Sequence, residues 1–241
     1  MRKGPLSFLL ICASVVASLQ SCRNDEHLAA APPAPDQSFV EQFDTLQNAF
    51  NRGWRWTNRS VPLGPSVWTQ VPGTASMSAY SSRGTNQGAA YADYLSTSGT
   101  NNGTISNWLI SPSITIKNGD RIVFYTRSDV DGTANPATDY GARMQVCLNE
   151  NGDDLNVGSG DDAGNFGTVL LEINPNEDEH NPSSPIATSY PGTWTRFEAT
   201  VFGLNTPMKR RFAFRYYLHG AGSNGAGNGI GIDSVAFISR K

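Results

Sequence analysis

No stretch of this chain sustains the three-to-four-residue apolar spacing of an amphipathic helix, and that absence constrains its fold more than any other feature. In its place stand short runs of alternating or β-branched and aromatic residues, the clearest at 108–110, 121–127, 144–148, 168–173, 194–202, 211–218 and 230–238. Between them lie turn sequences: Asn118-Gly119-Asp120, Asn151-Gly152-Asp153 and the glycine-rich stretch 220–229. With 24 glycines and 14 prolines the chain is interrupted too often for long helices. Many short strands without intervening helices predict an all-β fold, a jelly roll or β-sandwich of two antiparallel sheets.

The alternation also assigns faces, because successive side chains of a strand point to opposite sides. Phe212, Phe214, Tyr216 and Leu218 share one side, while Arg211, Ala213, Arg215 and Tyr217 share the other. Met144, Val146 and Leu148 alternate with Arg143, Gln145 and Cys147, and Ile122 and Phe124 alternate with Val123, Tyr125 and Arg127. One side of each strand is expected to build the core. If these strands are neighbours in one sheet, Tyr125, Arg127, Arg143, Gln145, Arg215 and Tyr217 form a patch of cations and aromatics suited to a sugar or an acidic peptide. The alternative is a solvated face whose Arg stems cover aromatic surface. Trp56 and Trp68 are further candidate sugar platforms, whereas Trp54 and Trp108 are expected in the core.

The first residues read as a targeting segment. Arg2 and Lys3 precede an apolar stretch at 6–16, shorter than the ~20 residues that span a bilayer. Leu19-Gln20-Ser21-Cys22 follows and resembles the lipobox of bacterial lipoproteins, which implies acylation of Cys22 and cleavage before it. Two or more acyl chains hold a protein stably on a bilayer where one does not. The alternative is an ordinary leader cut near Ala17 or Ser21. The acidic pair Asp25-Glu26 resembles the surface-export signal of Bacteroidetes lipoproteins, and the Ala/Pro run at 29–35 reads as a semi-extended spacer. This divides the chain into a leader (1–21), a lipidated Cys and linker (22–37) and one β-sandwich domain (38–241), on an exported outer-membrane lipoprotein exposed at the cell surface. Without Arg2 and Lys3, 16 basic residues face 21 acidic ones. That mild acidity argues against nucleic acid, for which a basic stripe is expected. Cys12 leaves with the leader and Cys22 carries lipid, so Cys147 has no partner for an intramolecular disulfide.

A family resemblance rests on an ordered set of motifs: Phe43-Asp44, Gly53-Trp54, Asn107-Trp108-Leu109-Ile110-Ser111-Pro112, 121–125, Arg143-Met144-Gln145-Val146, Trp194-Thr195, Ala213-Phe214-Arg215-Tyr216-Tyr217 and Gly231-Ile232-Asp233-Ser234-Val235. Their order and spacing, from about residue 38 to 237, resemble the choice-of-anchor J domain. They are similar also to the cleaved-adhesin domains of gingipain-type haemagglutinins and, more distantly, to MAM-like jelly rolls. The resemblance implies a jelly-roll sandwich on a cell-surface protein, with adhesion or binding of glycan or protein as its suggested role. It also implies a structural Ca²⁺ held by acids on the first and last strands, here Asp44 and Asp233, with Glu41 nearby. Ser234 stands where the related motif often has a second acid. A second candidate for Ca²⁺ is the run Asp129, Asp131, Asn135 and Asp139, whose alternating oxygen donors surround a Gly turn; it lacks the twelfth-position Glu of an EF-hand, and a solvated acidic loop is the alternative.

Catalytic residues are not expected. His27, His180 and His219 make no metal-binding pair, no Gly-x-Ser-x-Gly elbow occurs, and 220–229 lacks the Lys-Ser/Thr ending of a phosphate loop. Asp153, Asp154, Asp161 and Asp162 read as a hydrophilic hairpin connection. The leading expectation is therefore a non-catalytic binding or adhesion module. An accessory subunit of an envelope complex is second, and a glycoside hydrolase is the weakest reading.

Overall fold

The computed structural model describes residues 35–71, 77–80, 88–129, 139–179 and 188–240. The chain forms β1 (Phe39–Glu41), a short helix α1 (Leu46–Asn51), β2 (Arg55–Asn58), β3 (Thr69–Val71), β4 (Ala89–Asp93), β5 (Gly103–Ile110), β6 (Ile114–Ile116), β7 (Arg121–Asp129), β8 (Met144–Leu148), β9 (Thr168–Ile173), β10 (Thr195–Thr200), β11 (Met208–Arg210), β12 (Phe212–Ala221) and β13 (Gly229–Ile238). A first sheet runs β10-β7-β13-β4-β3, with β1 also on β13, and a second runs β2-β5-β12-β8-β9. All pairings between these named strands are antiparallel. β6 and β11 form a separate two-stranded ribbon. The molecule is thus an all-β jelly-roll sandwich.

The alternation seen in the sequence sets which side is packed. Ile122 and Phe124 from the first sheet meet Met144, Val146, Leu148, Phe212, Phe214, Tyr216 and Leu218 from the second in one buried cluster. Aromatic rings form its centre: Trp54 stacks on Phe214 with centroids 6.4 Å apart and meets Phe43 edge-on at 5.0 Å. Each such pair adds roughly 0.5–1.5 kcal/mol beyond the area it buries. Trp68, expected as a surface platform, is only 2% exposed and belongs to this core. Its neighbour β3 pairs with β4, so the indole is drawn over the sandwich interior and cannot serve as a sugar platform.

Two further features depart from a regular sandwich. On β13 the inward residues are Ile230 and Ile232, then Val235 and Phe237, so the alternation slips by one. The slip is a β-bulge at Asp233–Ser234, with Ser234 in the left-handed region (φ 51°). It falls where the partner of β13 changes from β4, opposite 229–232, to β1, opposite 235–237. The second feature is a clasp between the first and last residues of the sandwich. Gln37 N–H donates to Ser239 Oγ (3.0 Å), Ser239 N–H donates to Ser38 Oγ (2.9 Å), and Phe39 stacks on Phe237.

Candidate binding surfaces on the two outer faces

The six polar-face residues singled out in the sequence do not share a sheet. Gln145, Arg215 and Tyr217 lie on β8 and β12 of the second sheet, with Arg143 immediately before β8, whereas Tyr125 and Arg127 lie on β7 of the first. Alternation fixes the face of a residue within its own sheet but not which sheet a strand joins, so the single joint patch does not exist.

The outer face of the second sheet is largely covered. The connection from β8 to β9 folds back so that Val157 and Phe166 pack with Trp108, Ile110, Cys147 and Ala213 in a satellite core. The acid-rich 149–167 segment is therefore a cover and not merely a solvated hairpin connection. Its Asp154 accepts Asn156 N–H at 2.9 Å, and its Gly160 carbonyl accepts a hydrogen bond from Arg215 Nη2. Beneath it Arg215 is 2% exposed, donates Nε–H to Ser106 Oγ (3.0 Å) and Nη1–H to Gln145 Oε1 (3.2 Å), and lies over the Trp108 and Tyr217 rings at 4.7 and 3.8 Å. Burial lowers the pKa of its guanidinium. Cys147 is sealed in the same cluster, and burial pushes its thiol up to about 12, against the pull of Arg215.

Beside the cover, Arg143 bridges Glu172 (2.6 Å) and Glu177 (2.8 Å), and Gln145 Nε2–H donates to Glu172 as well. Burial opposes the Arg143 charge, but the two carboxylates outweigh it and raise its pKa. Its guanidinium also lies over the Tyr217 ring, at 4.5 Å. Tyr217 O–H donates to Asp161 Oδ1 (3.0 Å), and His219 sits between Asp161 (2.9 Å) and Glu177 (2.8 Å). The His219 and Tyr217 contacts hold the Asp161 carboxyl below its usual range. Every cationic group expected to meet a ligand here is already engaged with a neighbour.

The outer face of the first sheet is assembled differently. Tyr125 stacks on Tyr80 (centroids 3.8 Å, interplanar 14°), and Tyr80 meets Trp194 edge-on at 6.2 Å. All three rings are partly exposed, as is Arg127. Trp194 Nε1–H donates to Ser78 O (3.0 Å), which holds the segment 77–80 against the sheet, with Met77, Ala79 and Tyr91 beneath. Gly231 makes this possible: a Cβ there would collide with Met77 Sδ and lie 2.9 Å from the Trp194 ring. Gly229 clears room for Tyr91 in the same way. Tyr80 and Trp194 were absent from the sequence-derived candidates. The signal that could have found them is the pair of glycines on one face of a strand, which marks close approach by something above it. Trp56, the remaining candidate platform, is 42% exposed on the edge strand β2 of the second sheet.

The acidic candidates separate likewise. Asp233, re-aimed by the bulge, is 1% exposed, and burial, seconded by Asp44, pushes its carboxyl up to about 7 although Ser234 and Tyr80 N–H groups donate to it. Asp44, expected on the first strand, lies beyond the end of β1; it is exposed and lines a cavity of about 360 Å³ with Glu41 and Asn48. Glu41 is committed to Arg52 at 2.6 Å. Asp129 and Asp139 are both buried, so the ends of the second candidate run are not solvated. Asp129 accepts Tyr91 O–H (3.1 Å), Asp139 accepts Gly141 N–H (3.0 Å), and Asp131 and Asn135 lie outside the described residues. Among the described residues no three His, Cys, Asp or Glu side chains gather as a metal-binding group.

A jelly-roll sandwich with one self-satisfied and one aromatic outer face defines the class of the domain. No family model and no curated protein matches the chain. Solved structures do match it. The K1 cleaved adhesin domain of Lys-gingipain from Porphyromonas gingivalis superposes with a TM-score of 0.53 and 19% identity, over 85% of this chain and 99% of that one. The K3 cleaved adhesin domain from the same organism gives 0.50 and 17% identity over 86% and 100%. The K2 domain of Lys-gingipain gives 0.50 and 18% over 84% and 99%. At these identities the likeness establishes the fold.

Proposed function

We propose that this chain is a non-catalytic binding module of the choice-of-anchor J type, and that it takes a glycan on the outer face of its first sheet. The observation that carries this reading is the Tyr80–Tyr125–Trp194 cluster, three partly exposed rings of which Trp194 lies over Gly231, with Arg127 opposite Gly231 on β7. Pyranose rings present apolar C–H faces that pack on aromatic rings, and a guanidinium supplies hydrogen-bond donors to sugar hydroxyls. The likeness to cleaved adhesin domains is compatible with such a role. No step of catalysis is proposed: His219 is engaged with Asp161 and Glu177, and Cys147 is sealed.

The test is glycan-array or polysaccharide-retention binding by the purified protein, repeated with Tyr125→Ala and Trp194→Ala. Each is expected to lose at least tenfold in affinity while keeping a cooperative melt. Retention that survives both substitutions refutes the aromatic face as the site.

Two further parts of the reading rest on sequence and resemblance. Export as a lipoprotein anchored through Cys22 at the outer membrane concerns a residue outside the described structure, and labelled palmitate incorporation that Cys22→Ser abolishes is the expected result. A Ca²⁺ ion near Asp44 and Asp233 would neutralise a buried carboxylate that has no cation beside it among the described residues; the remaining oxygens of its six-to-eight shell would come from neighbouring amides, carbonyls or water. Calcium is expected to raise the melting midpoint and a chelator to lower it, and equal midpoints would remove the ion from the account.

A further inference from the structure

Against β11 and the end of β8 lies a cavity of about 300 Å³, partly open to solvent, lined by Arg210, Glu150, Asn205, Phe202, Leu148 and Met208 among others. Its scaffold is fixed. Asn118 clamps the turn before β11 twice, donating Nδ2–H to Leu204 O (2.6 Å) and accepting Leu204 N–H (2.9 Å). Thr168 O–H donates to one Glu150 oxygen (2.8 Å).

The chemistry of the floor is unusual. Arg210 is 9% exposed, and its Nε is buried without any acceptor. Among the described residues no carboxylate or carbonyl pairs with its guanidinium, whereas the more deeply buried Arg215 of the second sheet is fully partnered. Burying a cation is costly unless something satisfies it, and an unpartnered buried polar group in a native fold calls for an occupant. The rest of the lining narrows what that occupant is. Glu150 and Asn205 are exposed at the mouth and offer acceptors and an amide to hydroxyl groups. Phe202 is 52% exposed and presents a ring face, while Leu148 and Met208 make the inner wall apolar. The Glu150 charge disfavours a second anionic group beside the first.

We propose that this cavity binds a sugar acid: one carboxylate paired with the Arg210 fork, hydroxyls on Glu150 and Asn205, and one ring face on Phe202. Its volume lies at the lower end of small-ligand sites, enough for a single ring. The site is separate from the aromatic face of the first sheet, and binding at either can succeed or fail without the other.

Isothermal titration of the purified protein with glucuronate, glucose, acetate and inorganic phosphate at fixed ionic strength tests this. Glucuronate is expected to bind with one-to-one stoichiometry, and glucose, acetate and phosphate at least tenfold more weakly. Arg210→Met should abolish glucuronate binding, and Glu150→Gln should narrow the margin against phosphate. Should Arg210→Met fail to fold, Arg210→Lys, which keeps the charge but loses the planar fork, is expected to bind at least fivefold more weakly. The proposal is overturned if wild-type protein ignores glucuronate, if acetate binds as well as glucuronate, or if binding survives loss of the guanidinium.

Discussion

On the second sheet, Arg143, Arg215, Tyr217 and His219 are consumed by Glu172, Glu177, Asp161 and the 149–167 cover. On the first, the Tyr80, Tyr125 and Trp194 rings cluster beside a strand that carries no side chain at Gly231, where Trp194 closes in, and Asp233 is buried with no cation beside it among the described residues. Both faces carry aromatics and charge, yet one spends them internally and the other leaves its rings presented. Cation-plus-aromatic composition is therefore a poor guide to a binding face; what decides is whether a covering segment supplies the partners first.

The comparison breaks most visibly if the cover is removed. Phe166→Ala empties the satellite core beside Trp108 and is expected to cost about 3–5 kcal/mol by urea unfolding. It should also make Cys147 accessible to a thiol reagent at neutral pH, while leaving glycan retention unchanged. Loss of retention would mean that the second sheet takes part.

The pH dependences of the two faces have opposite signs. The folded-state pKa of Asp233 is raised, so the stability it contributes is complete only below the ordinary carboxyl value of 3.8 and is lost as pH rises from there through about 7. Stability is expected to fall across that window with a slope no steeper than about 1.4 kcal/mol per pH unit. Asp233→Asn should flatten it, as should bound Ca²⁺, which holds the ionised form. The folded pKa of Asp161 is depressed, so its contribution is present above the unfolded value and is lost only as pH falls below it. A slope that persists between pH 4 and 7 in Asp233→Asn would contradict the assignment.

Gly231→Ala should displace Met77 and Trp194, lowering stability by about 1–3 kcal/mol and glycan affinity by at least tenfold. The smallest effect belongs to Asp161→Asn, on an exposed carboxylate, which is expected to cost under about 1 kcal/mol and leave retention intact.

Period-two alternation was enough to place Phe212, Phe214, Tyr216, Met144, Val146, Ile122 and Phe124 in one core, because packing rewards only one face of each strand. It failed where information lies between strands. Tyr125 and Arg215 look equivalent in sequence, yet β7 joins one sheet and β12 the other through long-range pairing that local pattern does not encode. The strands β1 to β4, β6 and β11 and the helix α1 went unread because they are short and interrupted. The cover was missed because Val157 and Phe166 are isolated apolar residues in an Asp/Asn/Gly-rich stretch that reads as solvated. Arg210 gave no signal at all, since a lone Arg beside Arg211 resembles any surface cation until a cavity closes around it.

The clasp between Gln37, Ser38 and Ser239 brings the point where the chain enters the sandwich alongside the point where it leaves. A module with adjacent ends can be spliced into another polypeptide without forcing the host's severed strands apart. It can equally be stitched into a ring by a short bridge and reopened elsewhere, for instance at the Ser223–Asn224 bend. Its architecture asks almost nothing of whatever carries it, and that independence from the carrier is a property of the backbone, secured before any ligand is met.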